Sequence, residues 1–71
     1  MHLCDERAQL LAAVLLSGGI TPKELEESLH IYNATSHMFA LLNINWIDYD
    51  LPSNKITITE QGLGAMRGRY L

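Results

Sequence analysis

Few side chains in this chain of 71 residues have the types and spacing that chemistry requires. His2 and Cys4 can both bind a metal, but two ligands at a chain end fall short of the four that a structural zinc site needs. His30 and His37 can change charge near neutral pH, although a structural role is the simpler interpretation. We find no nucleophile that can be matched with a base and an orienting partner, and no phosphate-binding loop. The sequence therefore predicts no enzyme, no metal site and no cofactor.

The segment from Ile20 to Leu25 marks the start of a helix. Thr21 can accept a hydrogen bond from the backbone N–H of Glu24, and the Glu24 carboxylate can accept one from the N–H of Thr21. This exchange is a reciprocal capping box. Pro22 falls at the first helical position, where its missing N–H costs nothing, and Ile20 and Leu25 occupy the two positions of a hydrophobic staple.

After the helices the hydrophobic period changes from that of a helix to that of a strand. Polar and apolar residues alternate on both sides of residues 51–54, which is typical of a β-hairpin. The predicted elements, all in one domain, are helices over about 5–16, 22–29 and 34–43, a hairpin over about 46–59 and a short C-terminal helix or tail over 60–71. The side chains predicted to face inward from the hairpin are Ile47, Tyr49, Ile56 and Ile58.

The ends of the predicted helices carry their own signals. Asn33 is the predicted N-cap of the third helix, and Thr59 is placed to cap the last segment. In that segment Gly62, Gly64 and Gly68 each weaken a helix by about 1 kcal/mol relative to alanine. We therefore expect the C-terminal segment to fray.

The first helix has an unusually wide apolar surface. Leu11, Val14 and Leu15 form the stripe expected of a core face, yet the last two turns have almost no polar residue. A domain this small cannot enclose such a helix by itself, so we expect either a contact with a second copy or another protein, or an apolar surface left in water. The residues predicted to lie in a dimer or partner contact are Leu10, Ala13 and Leu16.

From Ile20 to about Met66 the chain resembles the winged helix-turn-helix domains of MarR-like and related bacterial or phage transcriptional regulators. The likeness rests on the sequences at 20–25, 31–36 and 56–62. It implies an α+β fold, with three helices and a two-stranded β-hairpin wing followed by a short C-terminal helix or tail. It also implies a sequence-specific transcriptional regulator that binds double-stranded DNA. The wide apolar surface of the first helix adds the expectation of a homodimer.

The resemblance assigns recognition to the helix over 34–43, whose neutral side chains could reach base edges in the major groove. Basic residues at the wing and the C-terminus would then contact phosphates. The predicted DNA-binding residues are Asn33, Thr35, Ser36, His37, Lys55, Arg67 and Arg69. The alternative is that Asn33 only caps the helix, Thr35 and Ser36 are merely solvated, and the basic C-terminus keeps the chain soluble.

Charge agrees poorly with DNA binding. The net charge is −3, whereas phosphate neutralisation supplies most non-specific affinity for DNA. Residues 1–31 hold two basic and five acidic residues, or −3, and residues 32–71 hold three of each, or zero. No lysine or arginine lies between His30 and Lys55. A second function therefore stays open, a winged-helix adaptor or inhibitor that binds a protein complex without DNA.

The sequence also indicates where the protein acts. A lone cysteine, Cys4, cannot form an internal disulfide, which favours a reducing compartment. The apolar run over 10–16 is far shorter than the roughly 20 residues that cross a bilayer, and the acidic pair before it is unlike a signal peptide. We therefore expect a cytoplasmic protein without a membrane partner.

Overall fold

The computed structural model describes residues 5–30 and 33–70, the side chains of Asp5, Arg69 and Tyr70 excepted. Two helices joined by a turn are followed by an antiparallel hairpin, which is the α+β winged-helix arrangement predicted from the sequence. The elements are α1 (Asp5–Ser17), α2 (Pro22–Leu29), α3 (Ala34–Asn43), β1 (Ile47–Asp50), β2 (Lys55–Ile58) and α4 (Glu60–Tyr70).

The capping box at the start of α2 is confirmed. Thr21 has extended backbone angles, and its Oγ1 accepts from the N–H of Glu24 at 3.1 Å. The Glu24 carboxylate accepts from the backbone N–H of Thr21 at 3.1 Å and from its hydroxyl at 3.0 Å. Two N–H groups that would lack a partner within the helix are thereby satisfied, which fixes where α2 begins.

The start of α3 is built differently from the prediction. Asn33 does occupy the N-cap position, but its backbone lies in the left-handed region at φ 63° and its side chain makes no capping bond. Its carbonyl instead accepts from the N–H groups of Ser36 and His37, at 3.0 and 3.3 Å. Asparagine fits this position because it tolerates a positive φ, and its side-chain amide does not cap the helix.

The hairpin pairs β1 with β2 in a register that sets Ile47 opposite Ile58 and Tyr49 opposite Ile56. This places all four side chains on the inner face, as the alternating pattern predicts. Ile20, in the α1–α2 connection, adds a one-residue bridge to β2. Its N–H donates to the carbonyl of Ile56 at 3.0 Å, and the N–H of Ile56 donates back at 2.7 Å.

The core is formed where α1 packs against α2, α3 and β2. Its burial corrects the predicted face of α1: Leu10 is fully buried, whereas Leu15 is 38% exposed. Because α1 is covered by several elements at once, its inner face is wider than the i, i+3, i+4 stripe and is rotated toward Leu10. The fully buried large side chains are Leu10, Leu11, Val14, Leu25, Leu41, Ile47 and Ile56.

The C-terminal segment forms a helix joined closely to the hairpin. Thr59 caps it as predicted, because its Oγ1 accepts from the N–H of Gly62 at 3.1 Å and donates to the carbonyl of Asn45 at 2.6 Å. Its N–H donates to the carbonyl of Trp46 at 3.0 Å. A Cβ at position 62 would lie 2.1 Å from that Trp46 oxygen, so Gly62 is the residue that permits the approach. Gly64 and Gly68 face open space.

Candidate nucleic-acid interface

The second helix of the helix-turn-helix, α3, presents one polar face to solvent. Ala34, Met38 and Leu41 are buried against the core, and this fixes the rotation of the helix. Thr35 and Ser36 are exposed on the first turn, two and three residues after the exposed Asn33. Hydroxyl and amide groups in this position can donate to and accept from base edges or phosphates.

His37, the fourth predicted residue of α3, lies in a different place from its neighbours. It is half-buried, and its Nδ1 accepts a hydrogen bond of 3.2 Å from Nε of Arg7 on α1. The imidazole therefore faces α1. Arg7 was missed by sequence reasoning because it lies 30 residues away, and no spacing rule connects it with α3. It supplies a cation beside a helix that contains none.

The cation of the wing, Lys55, is directed toward the α1–α2 connection. Its Cδ lies 3.6 Å from the position that a Cβ on Gly19 would take. Hydrogen bonds from the backbone and side chain of Thr21 hold the pKa of Glu24 below its ordinary value, and the charge of Lys55 contributes in the same direction. The positive charge of Lys55 is thus partly offset by the carboxylate of Glu24.

The remaining predicted cations belong to α4, which packs against α1. Arg67 is exposed there, and the side chain of Arg69 lies outside the described residues. The residues predicted for DNA contact therefore come from three elements: Asn33, Thr35 and Ser36 share the start of α3, Lys55 begins β2 and lies near Gly19, and Arg67 is on α4.

The acidic residues of the hairpin lie on the face opposite Tyr49. Asp50 is paired across the strands with Lys55, and it accepts hydrogen bonds from the hydroxyl of Ser53 at 2.6 Å and from its N–H at 3.1 Å. These bonds, the hydroxyl's first, lower the pKa of Asp50. The Tyr49 hydroxyl donates to the side-chain oxygen of Asn54. The turn of the wing is therefore ordered by its own polar groups, with Asp50 at its start and Lys55 at its end.

An apolar groove adjoins the polar face of α3, and sequence reasoning did not find it. Phe39, one turn beyond Thr35, is 61% exposed. With Leu42, Tyr49 and residues of α2, it lines a groove of about 220 Å³. The position of Phe39 beside a groove depends on how α2 and the hairpin pack against α3, which spacing along the chain does not show.

The predicted contact residues of α1 are placed unequally. Leu10 has no exposed surface and belongs to the core of its own chain, so its side chain cannot form the predicted contact. Ala13 is half-buried against the core, and Leu16 is 86% exposed. Leu16 is the part of the predicted surface that remains open, and Leu15, predicted to face the core, is partly exposed beside it.

Neither a metal-binding cluster nor a membrane-spanning helix is found among the described residues. Within 5–30 and 33–70, no three histidine, cysteine, aspartate or glutamate side chains are grouped so as to hold a metal ion; the predicted weak pair of His2 and Cys4 lies outside these ranges. None of the described helices combines the length and apolar character needed to cross a membrane.

Comparisons with known proteins place the fold. No family model matches the sequence, and no curated protein matches it. Among solved structures, the chain is similar to the crystal structure of the reduced form of MarR from E. coli, with a TM-score of 0.85 and 20% identity. The match covers 96% of this chain and 52% of that one, so the chain spans about half the length of its structural neighbour. The protein thus has a MarR-like winged-helix fold.

Proposed function

We propose that the protein is a sequence-specific DNA-binding transcriptional regulator of bacterial or phage type. The observation that carries the proposal is the exposed start of α3, where Thr35 and Ser36 face solvent within a MarR-like fold. A helix in this position of a helix-turn-helix enters the major groove, where hydroxyl side chains can bond to base edges. Asn33 and His37 complete the proposed set on α3, with His37 acting beside Arg7.

Lys55, Arg67 and Arg69 are the proposed phosphate contacts. With three cations per protomer, a dimer would neutralise about six phosphates, so the logarithm of affinity should fall with the logarithm of salt with a slope of about −5. Arg7 is a further candidate, since its guanidinium reaches α3. The module would act in the cytoplasm, without catalysis and without a cofactor.

The experiment is a titration of labelled random-sequence duplexes and genomic fragments at several salt concentrations. Changing Thr35 and Ser36 together to alanine should reduce the preference for selected sites over random duplex, because base-edge contacts specify and phosphate contacts position. Changing Lys55, Arg67 and Arg69 together to glutamine should abolish binding to both. No binding at any salt concentration would contradict the proposal.

We also propose that the regulator is a homodimer joined in part through α1. Leu16 supports this, because a leucine that is 86% exposed beside the partly exposed Leu15 gains by being covered. Leu16→Glu should shift the protein toward monomer in sedimentation, whereas Leu51→Glu, at a leucine of the hairpin turn that is 76% exposed, should not. A wild-type protein that is monomeric at high concentration would refute the dimer.

A winged-helix adaptor or inhibitor that binds another protein is the second candidate. It is favoured by the net charge of −3 and by Phe39, an exposed aromatic on the helix that would otherwise meet DNA. An adaptor would show little affinity for any duplex at physiological salt.

A further inference from the structure

The groove beside α3 is bounded by three elements. Pro22 and Glu26 of α2, Thr35, Phe39 and Leu42 of α3, and Tyr49 of the hairpin line it. Among these lining residues Glu26 alone is charged. The groove is thus an apolar channel with one carboxylate on its rim.

Its size favours side chains of a protein over a small molecule. A volume of about 220 Å³ falls below the range of roughly 300–1,000 Å³ in which drug-sized ligands are enclosed. It is sufficient for large apolar side chains inserted from outside. Phe39 extends the apolar surface beyond the groove, and an exposed aromatic next to a pocket is typical of the energetic centre of a protein interface.

The charge of the surrounding elements defines the partner. Residues 22–58, which run from α2 to the end of the hairpin, contain two lysines and five acidic residues, or −3. Lys55 acts on Glu24, and Lys23 lies four residues before Glu27 on α2, where opposite charges offset each other. Of the five acidic residues only Glu26 lines the groove, because Asp48 and Asp50 lie on the hairpin face opposite Tyr49. None of the lining residues is cationic, so the charge at the groove is the Glu26 carboxylate, which favours a basic partner.

We propose that this groove docks a basic amphipathic helix of another protein. Apolar side chains at i, i+3 or i+4, and i+7 of that helix pack against Phe39, Leu42 and Tyr49, and a lysine or arginine on its flank pairs with Glu26. Thr35 lines the groove and also belongs to the proposed DNA-contacting face, so docking and DNA contact exclude each other. The inference rests on the second candidate function and does not require that the protein bind DNA.

The test is a selection from a phage-displayed library of 16-residue helical peptides, with charge randomised on one face and large apolar residues randomised on the other. The bait is the immobilised full chain, and no nucleic acid is present. Selected sequences should combine apolar anchors at helical spacing with an excess of lysine and arginine. A selection that enriches nothing, or that enriches acidic peptides, overturns the proposal.

Matched variants locate the binding. Phe39→Ser should weaken the selected peptides by at least about tenfold, as truncation of a central aromatic does, and Glu26→Lys should shift the selection toward acidic peptides. Leu51→Ser, at a side chain that is 76% exposed but outside the groove, should leave affinity unchanged. Peptides that bind Phe39→Ser as well as wild type overturn the proposal, and the surface position of Glu26 provides a second variant that retains the fold.

Two further arms separate other occupants. Sedimentation tests whether a second copy occupies the groove: wild type that associates while Phe39→Ser stays monomeric would make the occupant a second copy and overturn the proposal. The proposal expects the two proteins to associate equally. Loss of duplex binding in the separate salt titration would count against the DNA-binding proposal alone, because the peptide selection contains no DNA.

Discussion

The starts of α2 and α3 solve the same problem in opposite ways. At α2, Thr21 and Glu24 exchange hydrogen bonds, so each satisfies a backbone N–H of the other. At α3, Asn33 adopts a left-handed conformation and its side chain makes no capping bond. Thr35 and Ser36, which follow it, are exposed. The polar groups at the start of α2 therefore stabilise the chain itself, whereas Thr35 and Ser36 at the start of α3 remain exposed to solvent.

A second rigid point lies at the base of α4. Gly62 is packed directly on the Trp46 carbonyl, and Thr59 bonds to the segment before β1. We call this junction and the capping box of α2 together the scaffold, and Asn33, Thr35, Ser36 and Phe39 the open face of α3. If the comparison is correct, substitutions in the scaffold should reduce stability, whereas substitutions on the open face should change binding.

The largest effect is expected at Gly62. Gly62→Ala places a methyl group 2.1 Å from a backbone oxygen that cannot rotate away, so α4 must move off the hairpin at a cost of about 3 kcal/mol. In a domain of this size that loss lowers the melting temperature by more than about 10 °C.

Gly64→Ala and Gly68→Ala are the matched controls in thermal denaturation. Each adds the same methyl group to α4 but faces open space, so each should be neutral or should stabilise by up to about 1 kcal/mol. Equal effects at all three glycines would show that helix propensity, and not the contact with Trp46, determines the result.

The next effect compares the two helix starts directly. Thr21→Ala removes the capping bond to Glu24 and should destabilise the protein by about 1 kcal/mol. Asn33→Gly should change stability by less than about 0.5 kcal/mol, because no capping bond is lost and glycine adopts a positive φ readily. Chemical denaturation measures both. A larger loss at Asn33 than at Thr21 would reverse the comparison.

The smallest expected effect is a change of folding stability with pH. The pKa of Glu24 is lowered in the folded state by its bonds to Thr21. The ionised carboxylate therefore stabilises the fold above the pKa that Glu24 has in the unfolded chain, and this stabilisation is lost as pH falls through the pKa in the folded state. Between about pH 6 and pH 3, Glu24→Gln should therefore lose less stability than wild type, since its amide oxygen accepts from Thr21 at every pH. Glu26→Gln, outside the capping box, should follow the wild type.

What could be predicted from the sequence was local. The capping box depends on residues three positions apart, and the hairpin pattern depends on alternation over a few residues, so both could be identified from spacing. The fold class followed once these elements were placed in order, and the MarR-like neighbour confirms it.

What could not be predicted was created by packing between distant elements. The contact of Arg7 with His37 joins residues 30 positions apart, and the burial of Leu10 in place of Leu15 depends on how α2, α3 and β2 cover α1. Gly62 was assigned a cost to helix formation, although its contact with Trp46 requires glycine. The groove beside α3 has the same origin, since its lining comes from α2, α3 and the hairpin together.

The bridge between Ile20 and Ile56 has a consequence for self-association. By pairing with β2, Ile20 blocks one border of the sheet to any incoming strand. The other border belongs to β1, which has only four residues and carries Asp48 and Asp50. Short, charged edge strands resist the edge-to-edge growth that leads to aggregation. Copies of this chain should therefore associate through side chains. The hairpin should stay two-stranded at concentrations where an unprotected edge strand would pair with the strand of another molecule.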